Sequence, residues 1–471
     1  MSRKPNVVYI LADDMGYGDV SYLNENAAFQ TENFDKMARE GIAFRDAHSS
    51  SAVCTPSRYS ILTGRYNWRT SLKSGVLWGL DEPLIERKTE TVASYLKKSG
   101  YKTACIGKWH LGLGWQMEGE NPDYTKNLKD SPIDHGFDYF FGIPASLDMP
   151  PYVYIENNKV SSLPDRQIGC FYKPLNGEDK LGVNSNAYNK KMQRIGDASE
   201  ILETEDVLPC FTKKVLDKIE EYKDDPFFIY FPMNAPHTPI VPTPEFQGKS
   251  GVTEYADFVL MCDDVVRQVN EKLEELGLAN DTIVIYTSDN GCSPMANYPE
   301  LAQYGHNPSY IFRGTKADIY EGGHRIPLLV KWPNGIPAGQ LSDETVCLSD
   351  FFSTMVDIIE REPERECAPD SVSNLPVWEN KQYEKPLREF TVHHSLDGSF
   401  SIRKGKWKLE LCSGSGGWSI PKPGETPDSF PKYQLYDLEK DIREQYNVYT
   451  DNLAIAEELE ETLNQCIARD V

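Results

Sequence analysis

At 471 residues and 39% hydrophobic composition, the chain is long enough for one large core and a second, smaller unit. No stretch of about 18 consecutive apolar residues occurs, so no membrane-spanning helix is expected. A formal net charge of −23 argues against nucleic acid or an anionic membrane surface as partner, and against long polyanionic substrates.

Asn6 to Ala12 is a continuous apolar run, the pattern of a strand buried on both faces. Met1-Ser2-Arg3-Lys4-Pro5 leads straight into it. The run is too short for a signal core and lacks a small-residue cleavage site. A cytoplasmic location is the expectation, with a trimmed signal left open. The ten cysteines are scattered without a C-x-x-C pair, which fits reduced thiols.

A helix is expected over Thr31 to Arg39, stopped by Gly41, then a short strand over Ile42 to Ala47. Ser49 to Arg65 is a small-residue loop running into a helix. Pro56 suits its first position and Thr55 suits its cap, which puts Cys54 at a helix N-terminus with Arg58 one turn on. A helix follows over Glu90 to Lys98 and a strand over Tyr101 to Ile106. Residues 115 to 200 are rich in Pro, Asn, Asp and Gly and read as long loops over the sheet edge. Helices are expected at Asp206 to Tyr222, Glu254 to Leu276 and Asp350 to Ile359, and strands at Phe227 to Met233, Thr282 to Thr287 and Ile326 to Trp332.

This alternation predicts an α/β fold with helices on both faces of a sheet. Residues 1–360 form the catalytic domain in this reading. The charged, Pro-containing segment 361–385 is a linker, and 386–471 is a C-terminal α+β subdomain of short antiparallel strands closed by a helix over Ala454 to Ile467.

Two apolar strands end in acidic or amide residues, Asp13-Asp14 and Asp289-Asn290. Ligands bind beyond the carboxyl ends of parallel strands, and three carboxylates with one amide oxygen make a hard donor set for Ca²⁺ or Mg²⁺. Strand-end Asp and Asn also cap helices and close turns. Lys108, His110, His237 and Lys316 likewise follow strands or lie in Gly-rich segments, where lone basic residues are commonly solvated. Lys108 and His110 alternate, so both face one way if their strand continues. Aimed at one edge beside a metal, these groups and Arg58 would clamp an anion.

Cys54-Thr55-Pro56-Ser57-Arg58 with Leu62-Thr63-Gly64-Arg65 resembles the signature of the type I, formylglycine-dependent sulfatases. The similarity extends through Ala12 to Asp19, Gly107 to Gly112, Ala235-Pro236-His237, Ser288 to Gly291 and Tyr320 to Pro327. It reaches the late Lys406 to Leu409 and Leu435 to Leu438 elements. The resemblance implies the alkaline-phosphatase-like sandwich, a mostly parallel sheet flanked by helices with a smaller antiparallel sheet after it. It implies oxidation of Cys54 to Cα-formylglycine by a maturation enzyme. Asp13, Asp14, Asp289 and Asn290 would hold Ca²⁺, with Mg²⁺ the lesser choice, together with residue 54. Arg58 would steady residue 54, and Lys108, His110, His237 and Lys316 would surround the sulfate. A gem-diol hydroxyl of residue 54 would attack sulfur.

The chain is most similar to bacterial carbohydrate sulfatases of the N-acetylgalactosamine-6-sulfatase-like group. That implies an exo-acting sulfatase on a sulfated mono- or oligosaccharide, galactose or N-acetylgalactosamine with the 6-O position favoured. Trp78, Asp148 and His324 are candidates for the sugar side, and each is equally readable as a packing residue. The alternatives are a broad arylsulfatase, a formylglycine-dependent phosphonate or phosphodiester hydrolase, and an inactive sugar-binding homologue. Homo-oligomerisation stays open.

Overall fold

The computed structural model describes residues 4–169, 193–364 and 367–469. The apolar runs become the middle of a ten-stranded sheet. Its order is Gln340–Ser342, Ile42–Phe44, Leu328–Lys331, Thr282–Ser288, Asn6–Ala12, Phe227–Pro232, Lys102–Lys108, Tyr139–Ile143, Ile155–Glu156 and Lys159–Val160. The five strands from Thr282–Ser288 to Tyr139–Ile143 are mutually parallel. Leu328–Lys331 and Ile155–Glu156 bound that block with antiparallel pairings.

Period-two alternation splits each central strand between two cores. Val8, Ile10 and Ala12 pack with Phe34 and Met37 of helix Glu32–Glu40, and with helices Val207–Tyr222 and Glu254–Glu275. Val7, Tyr9 and Leu11 face the opposite layer, where helices Cys54–Thr63, Val92–Lys98 and Phe351–Ile359 lie. Both faces are thus covered, which is why the runs lack polar alternation. No helix among the described residues is long and apolar enough to cross a membrane.

A separate four-stranded antiparallel sheet joins Thr391–His394, Phe400–Lys404, Trp407–Glu410 and Gln434–Asp437. Helix Leu453–Ala468 covers it through Ala456, Leu459 and Leu463, and Tyr66 and Trp68 of the N-terminal part join the same cluster.

Two expectations change. Tyr139–Ile143 lies inside the region read as loops, yet it is a parallel strand paired along Lys102–Lys108. The helix after the Ser-rich loop begins at Cys54 itself, with Val53 as its uncapped N-cap. Pro56 therefore sits in the first turn, where its missing N–H costs nothing. The Thr55 hydroxyl does not cap. It accepts a bond from Leu77 N at 3.2 Å. Residues 170–192 of the region read as loops lie outside the described residues.

Candidate active site

Register brings the strand ends together. Ala12 pairs with Ser288, so Asp13 and Asp289 emerge side by side. Asp289 N donates to Ala12 O at 3.1 Å, and Asp13 N donates to Ala235 O at 3.0 Å. The loop carrying His237 is thereby tied to the same edge. Lys108 closes the next strand but one. The strand stops there, because His110 takes φ +58°, and its N–H donates to Pro144 O at 2.9 Å. Asp14 also has a positive φ, +67°. Two non-glycine residues in the left-handed region at one sheet edge mark a site whose geometry outranks backbone comfort.

Helix Cys54–Thr63 is wholly buried, and Cys54 is 2% exposed at its first turn. Arg58 points back along the helix into the carboxylates. Its Nε and Nη2 reach Asp289 Oδ2 at 2.9 and 2.8 Å, Nη2 lies 3.3 Å from Asp13 Oδ1, and Nη1 donates to Lys108 O at 2.9 Å. Lys108 Nζ is 2.6 Å from Asp13 Oδ2. Lys316 Nζ bridges Asp14 Oδ1 at 2.5 Å and Cys54 Sγ at 3.4 Å. His237 Nε2 is 3.5 Å from Asp14 Oδ2, and its Nδ1 bonds Thr238 O at 2.7 Å. His110 Nε2 bonds Leu77 O at 2.7 Å, and its buried Nδ1 has no partner. These contacts join Cys54, Arg58, Lys108, Lys316, His237 and the three carboxylates, and His110 lies within reach of the charges of Lys108, Arg58 and Asp13.

Burial alone would raise Asp13, but Lys108, His237 and Arg58 hold it well below the usual carboxylate range. Burial pushes Asp289 up to about 6 against the pull of Arg58, with Asp13 adding to the rise. Two carboxylates that share one guanidinium split in this way. Burial also keeps His110 neutral, helped by Lys108 and Arg58. The Cys54 thiol is pushed up to about 12 by burial despite Lys108 and Lys316. A thiol held protonated is a poor nucleophile.

The donor set fits a hard divalent cation. Asp13 Oδ1 and Asn290 Oδ1 are buried without a hydrogen-bond partner. Ligand atoms of Asp13, Asp14, Cys54 and His237 lie within 4.8 Å of one another. Asn290 Nδ2 donates to Asp14 Oδ1 at 2.8 Å, which aims its amide oxygen away from that carboxylate. Oxygen-only carboxylate and amide donors select Ca²⁺- or Mg²⁺-type ions over thiophilic ones.

A family model for sulfatases matches residues 5–360. The chain belongs to the sulfatase family. The sulfatase is 34% identical to an N-acetylgalactosamine-6-O-sulfatase of Bacteroides thetaiotaomicron, over 99% of this chain and 94% of the relative. It is 29% identical to the human N-acetylgalactosamine-6-sulfatase, over 90% of this chain and 74% of that one. A solved structure described under metabolism of multiple glycosaminoglycans by Bacteroides thetaiotaomicron superposes with a TM-score of 0.85. That structure is 31% identical and covers 99% of this chain and 100% of its own. The protein is a sulfuric ester hydrolase with the alkaline-phosphatase-like fold, and its family implies formylglycine and a divalent metal.

The sugar-side candidates separate. Trp78 is 40% exposed, one residue from Leu77, whose backbone holds both Thr55 and His110. Asp148 is buried and bound to Arg194, Nη1 to Oδ2 at 2.7 Å, while its Oδ1 has no hydrogen-bond partner among the described residues. The Arg194 guanidinium also lies 4.8 Å from the Trp78 ring. Arg194 is an addition. It stands in a stretch with no periodicity or motif, and only the fold brings it to Trp78 and Asp148. His324, readable either as a sugar-side or as a packing residue, is fully buried against His48 and His393.

Burial lowers the pKa of His48, His324, His393 and His394, the last to about 4. Unfolded imidazoles titrate near 6.5. Below that pH the unfolded chain binds more protons than the folded one, so stability falls as pH drops from about 6.5 toward 4. Each group contributes up to about 1.4 kcal/mol per pH unit in that window. The expected result is a melting temperature that is flat from pH 8 to 7 and falls steeply below 6. A flat profile down to pH 5 would contradict it.

Proposed function

We propose that this sulfatase releases sulfate from a sulfated mono- or oligosaccharide, acting on a terminal galactose or N-acetylgalactosamine with the 6-O-sulfate favoured. The observation that carries the reading is the Trp78, Arg194 and Asp148 group. It stands one residue from the backbone that fixes His110, in a chain whose relatives include a bacterial and a human N-acetylgalactosamine-6-sulfatase. A ring face, an unpartnered carboxylate oxygen and a guanidinium are the groups that recognise a sugar face and its hydroxyls.

Residue 54, matured from Cys54 to formylglycine by a dedicated enzyme, supplies the hydrated-aldehyde hydroxyl that attacks sulfur. Asp13, Asp14, Asp289 and Asn290 would hold the metal, Ca²⁺ in preference to Mg²⁺, which when bound neutralises sulfuryl oxygens and acidifies that hydroxyl. Lys316, kept charged by Asp14 and its neighbours despite burial, stands over residue 54 and neutralises the transferring group. His237 gives an Nε2 proton to the departing alcohol as the sulfur–oxygen bond breaks. His110 donates Nε2–H to Leu77 O, which leaves the Nδ1 lone pair to take the proton of the second hydroxyl. Loss of that proton would break the bond between the residue 54 carbon and the sulfate oxygen, releasing sulfate and restoring the aldehyde. Arg58, locked on Asp289 and Lys108 O, fixes the helix start beside these charges.

A sulfate-release screen over sugars sulfated at single positions tests the reading, with N-acetylgalactosamine 6-sulfate expected among the substrates. Asp148→Asn and Arg194→Met should lower kcat/KM on that sugar by about tenfold or more, while turnover of an aryl sulfate stays within about threefold. Equal losses on both substrates would remove the sugar-side role. Turnover of phosphonate or phosphate diesters alone would remove the sulfated-sugar reading.

A further inference from the structure

Behind the pocket lies a second cluster that the reaction does not use. His48, His324 and His393 are fully buried, and their ring nitrogens lie within 4.8 Å of one another. The rings of His324 and His393 stack at 4.0 Å and 6°. Such a set has the spacing of metal ligands, but every nitrogen already has a protein partner. His48 Nε2 donates to Asp46 Oδ1 at 2.7 Å, so its Nδ1 accepts from His324 Nδ1–H at 3.0 Å. His324 Nε2 lies 3.2 Å from both Lys408 Nζ and Ile319 O, and Lys408 donates to Ile319 O at 3.0 Å and to Glu444 at 2.6 Å. His393 Nδ1 donates to Ser49 O at 2.8 Å, and Thr391 Oγ1 donates to its Nε2 at 2.8 Å. Arg403 and Arg325 contact Asp46 at 2.6 and 2.9 Å. A cation placed here would meet Lys408 and both guanidiniums, whereas three neutral imidazoles complete one chain of hydrogen bonds from Asp46 to Glu444.

We propose that this histidine cluster is a positioning device through which the C-terminal sheet holds the loop carrying residue 54 and, with it, Lys316. Ser49 is gripped from both sides, its N–H donating to His324 O at 2.9 Å and its carbonyl accepting from His393. Strand Thr391–His394 continues the grip, with His394 O accepting from Ala52 N at 3.0 Å and from Ser51 Oγ at 3.1 Å. Ala317 N donates to Ala52 O at 2.8 Å, and Ala317 O accepts from Leu396 N at 2.9 Å. Lys316 is the residue before Ala317. Residues 391–396 therefore set the two loops that meet as Lys316 Nζ and Cys54 Sγ. Gly323 permits the closeness, because a Cβ there would fall 2.0 Å from Asp318 O and 3.1 Å from the Ala52 side chain. The role of this cluster in turnover rests on the proposed function. Its role in holding the loop does not.

The test compares His324→Leu with His324→Asn, whose amide nitrogen can replace Nδ1–H toward His48. Both proteins are matured, and conversion at residue 54 is measured by mass spectrometry so that rates refer to converted enzyme. With 4-nitrophenyl sulfate as probe, His324→Leu should lose about thirtyfold to a hundredfold in kcat with KM within about twofold, and His324→Asn should recover to within about fivefold. Hydrogen exchange should accelerate across residues 49–57 in the Leu variant and leave strand Thr282–Ser288 unchanged. Wild-type kcat and exchange in the Leu variant would overturn the proposal, as would an Asn variant as impaired as Leu. Stoichiometric zinc in the wild type, lost in the Leu variant, would overturn it in favour of a metal site. If the wild type hydrolyses no sulfate ester, the proposed function fails and exchange alone decides the positioning. If His324→Leu does not fold, His393→Leu against His393→Asn, which keeps a donor for Ser49 O, is read in the same way.

Discussion

Cys54→Ala is expected to abolish sulfate release, by a factor on the order of 10⁴ or more, while the protein stays folded. The size follows from what residue 54 must supply. Arg58, Lys108, Lys316 and the carboxylates can bind and polarise a sulfate ester without it, but none of them offers an atom that attacks sulfur. The small cost in stability follows from the environment. Cys54 is buried at a first helical turn, and its sulfur makes one weak contact, to Lys316 at 3.4 Å. Removing it leaves Lys316 paired with Asp14. Thermal unfolding should therefore shift by only a few degrees, and the variant should still bind sulfated sugar. The measurement is sulfate release by purified enzyme, with the residue 54 peptide characterised by mass spectrometry, since an unconverted thiol would mimic the variant. Full activity in the alanine variant would sink the mechanism.

Removing the divalent cation is the second large effect. Asp13, Asp14 and Asp289 crowd one sheet edge, and Asp13 and Asn290 each keep an unpartnered buried oxygen. Chelation should lower turnover by at least about a hundredfold, the scale on which single transition-state charge contacts act. Readdition of Ca²⁺ should restore it more fully than Mg²⁺, because Mg²⁺ sheds its water reluctantly and demands octahedral geometry. A readout independent of turnover comes from linkage. An ion that binds only the folded state raises the melting temperature with its concentration, by about 2.7 kcal/mol of stability at a hundredfold excess over Kd. Asp289→Asn should blunt that rise. A melting temperature and turnover both indifferent to chelator and Ca²⁺ would remove the metal from the site.

The sequence announced most of the reacting centre because its parts sit where local pattern is strongest. Asp13, Asp289, Lys108 and His237 each follow an apolar run, and parallel pairing turns that shared position into spatial convergence. Cys54 and Arg58 sit one helical turn apart, a spacing that survives the shift of the helix start from Pro56 to Cys54. What escaped was decided by contacts between distant segments. Tyr139–Ile143 is aromatic and glycine-bearing amid Pro and Asp, and only its register along Lys102–Lys108 makes it a strand. Arg194 has no neighbours in sequence that share its role, and the fold alone brings it to Trp78 and Asp148. His324 lies in a glycine-rich motif beside the site, so the sequence leaves it readable as a substrate residue or a packing residue. Its burial against His48 and His393 comes from a sheet contributed some 70 residues later.

The central strand has a consequence for how the protein is made. Asn6–Ala12 pairs along its length with Phe227–Pro232 and Thr282–Ser288. On a ribosome adding about 5–20 residues per second, its second neighbour is not synthesised until roughly a quarter of a minute to a minute later. Until Phe227–Pro232 is made this apolar strand has neither edge satisfied, and one edge stays open until Thr282–Ser288 follows. Lys102–Lys108 and Tyr139–Ile143 can pair earlier, but Asn6–Ala12 must wait for partners that lie far along the chain, and non-local pairings of this kind form slowly. An apolar strand with an open edge is exposed to aggregation until residue 288 arrives.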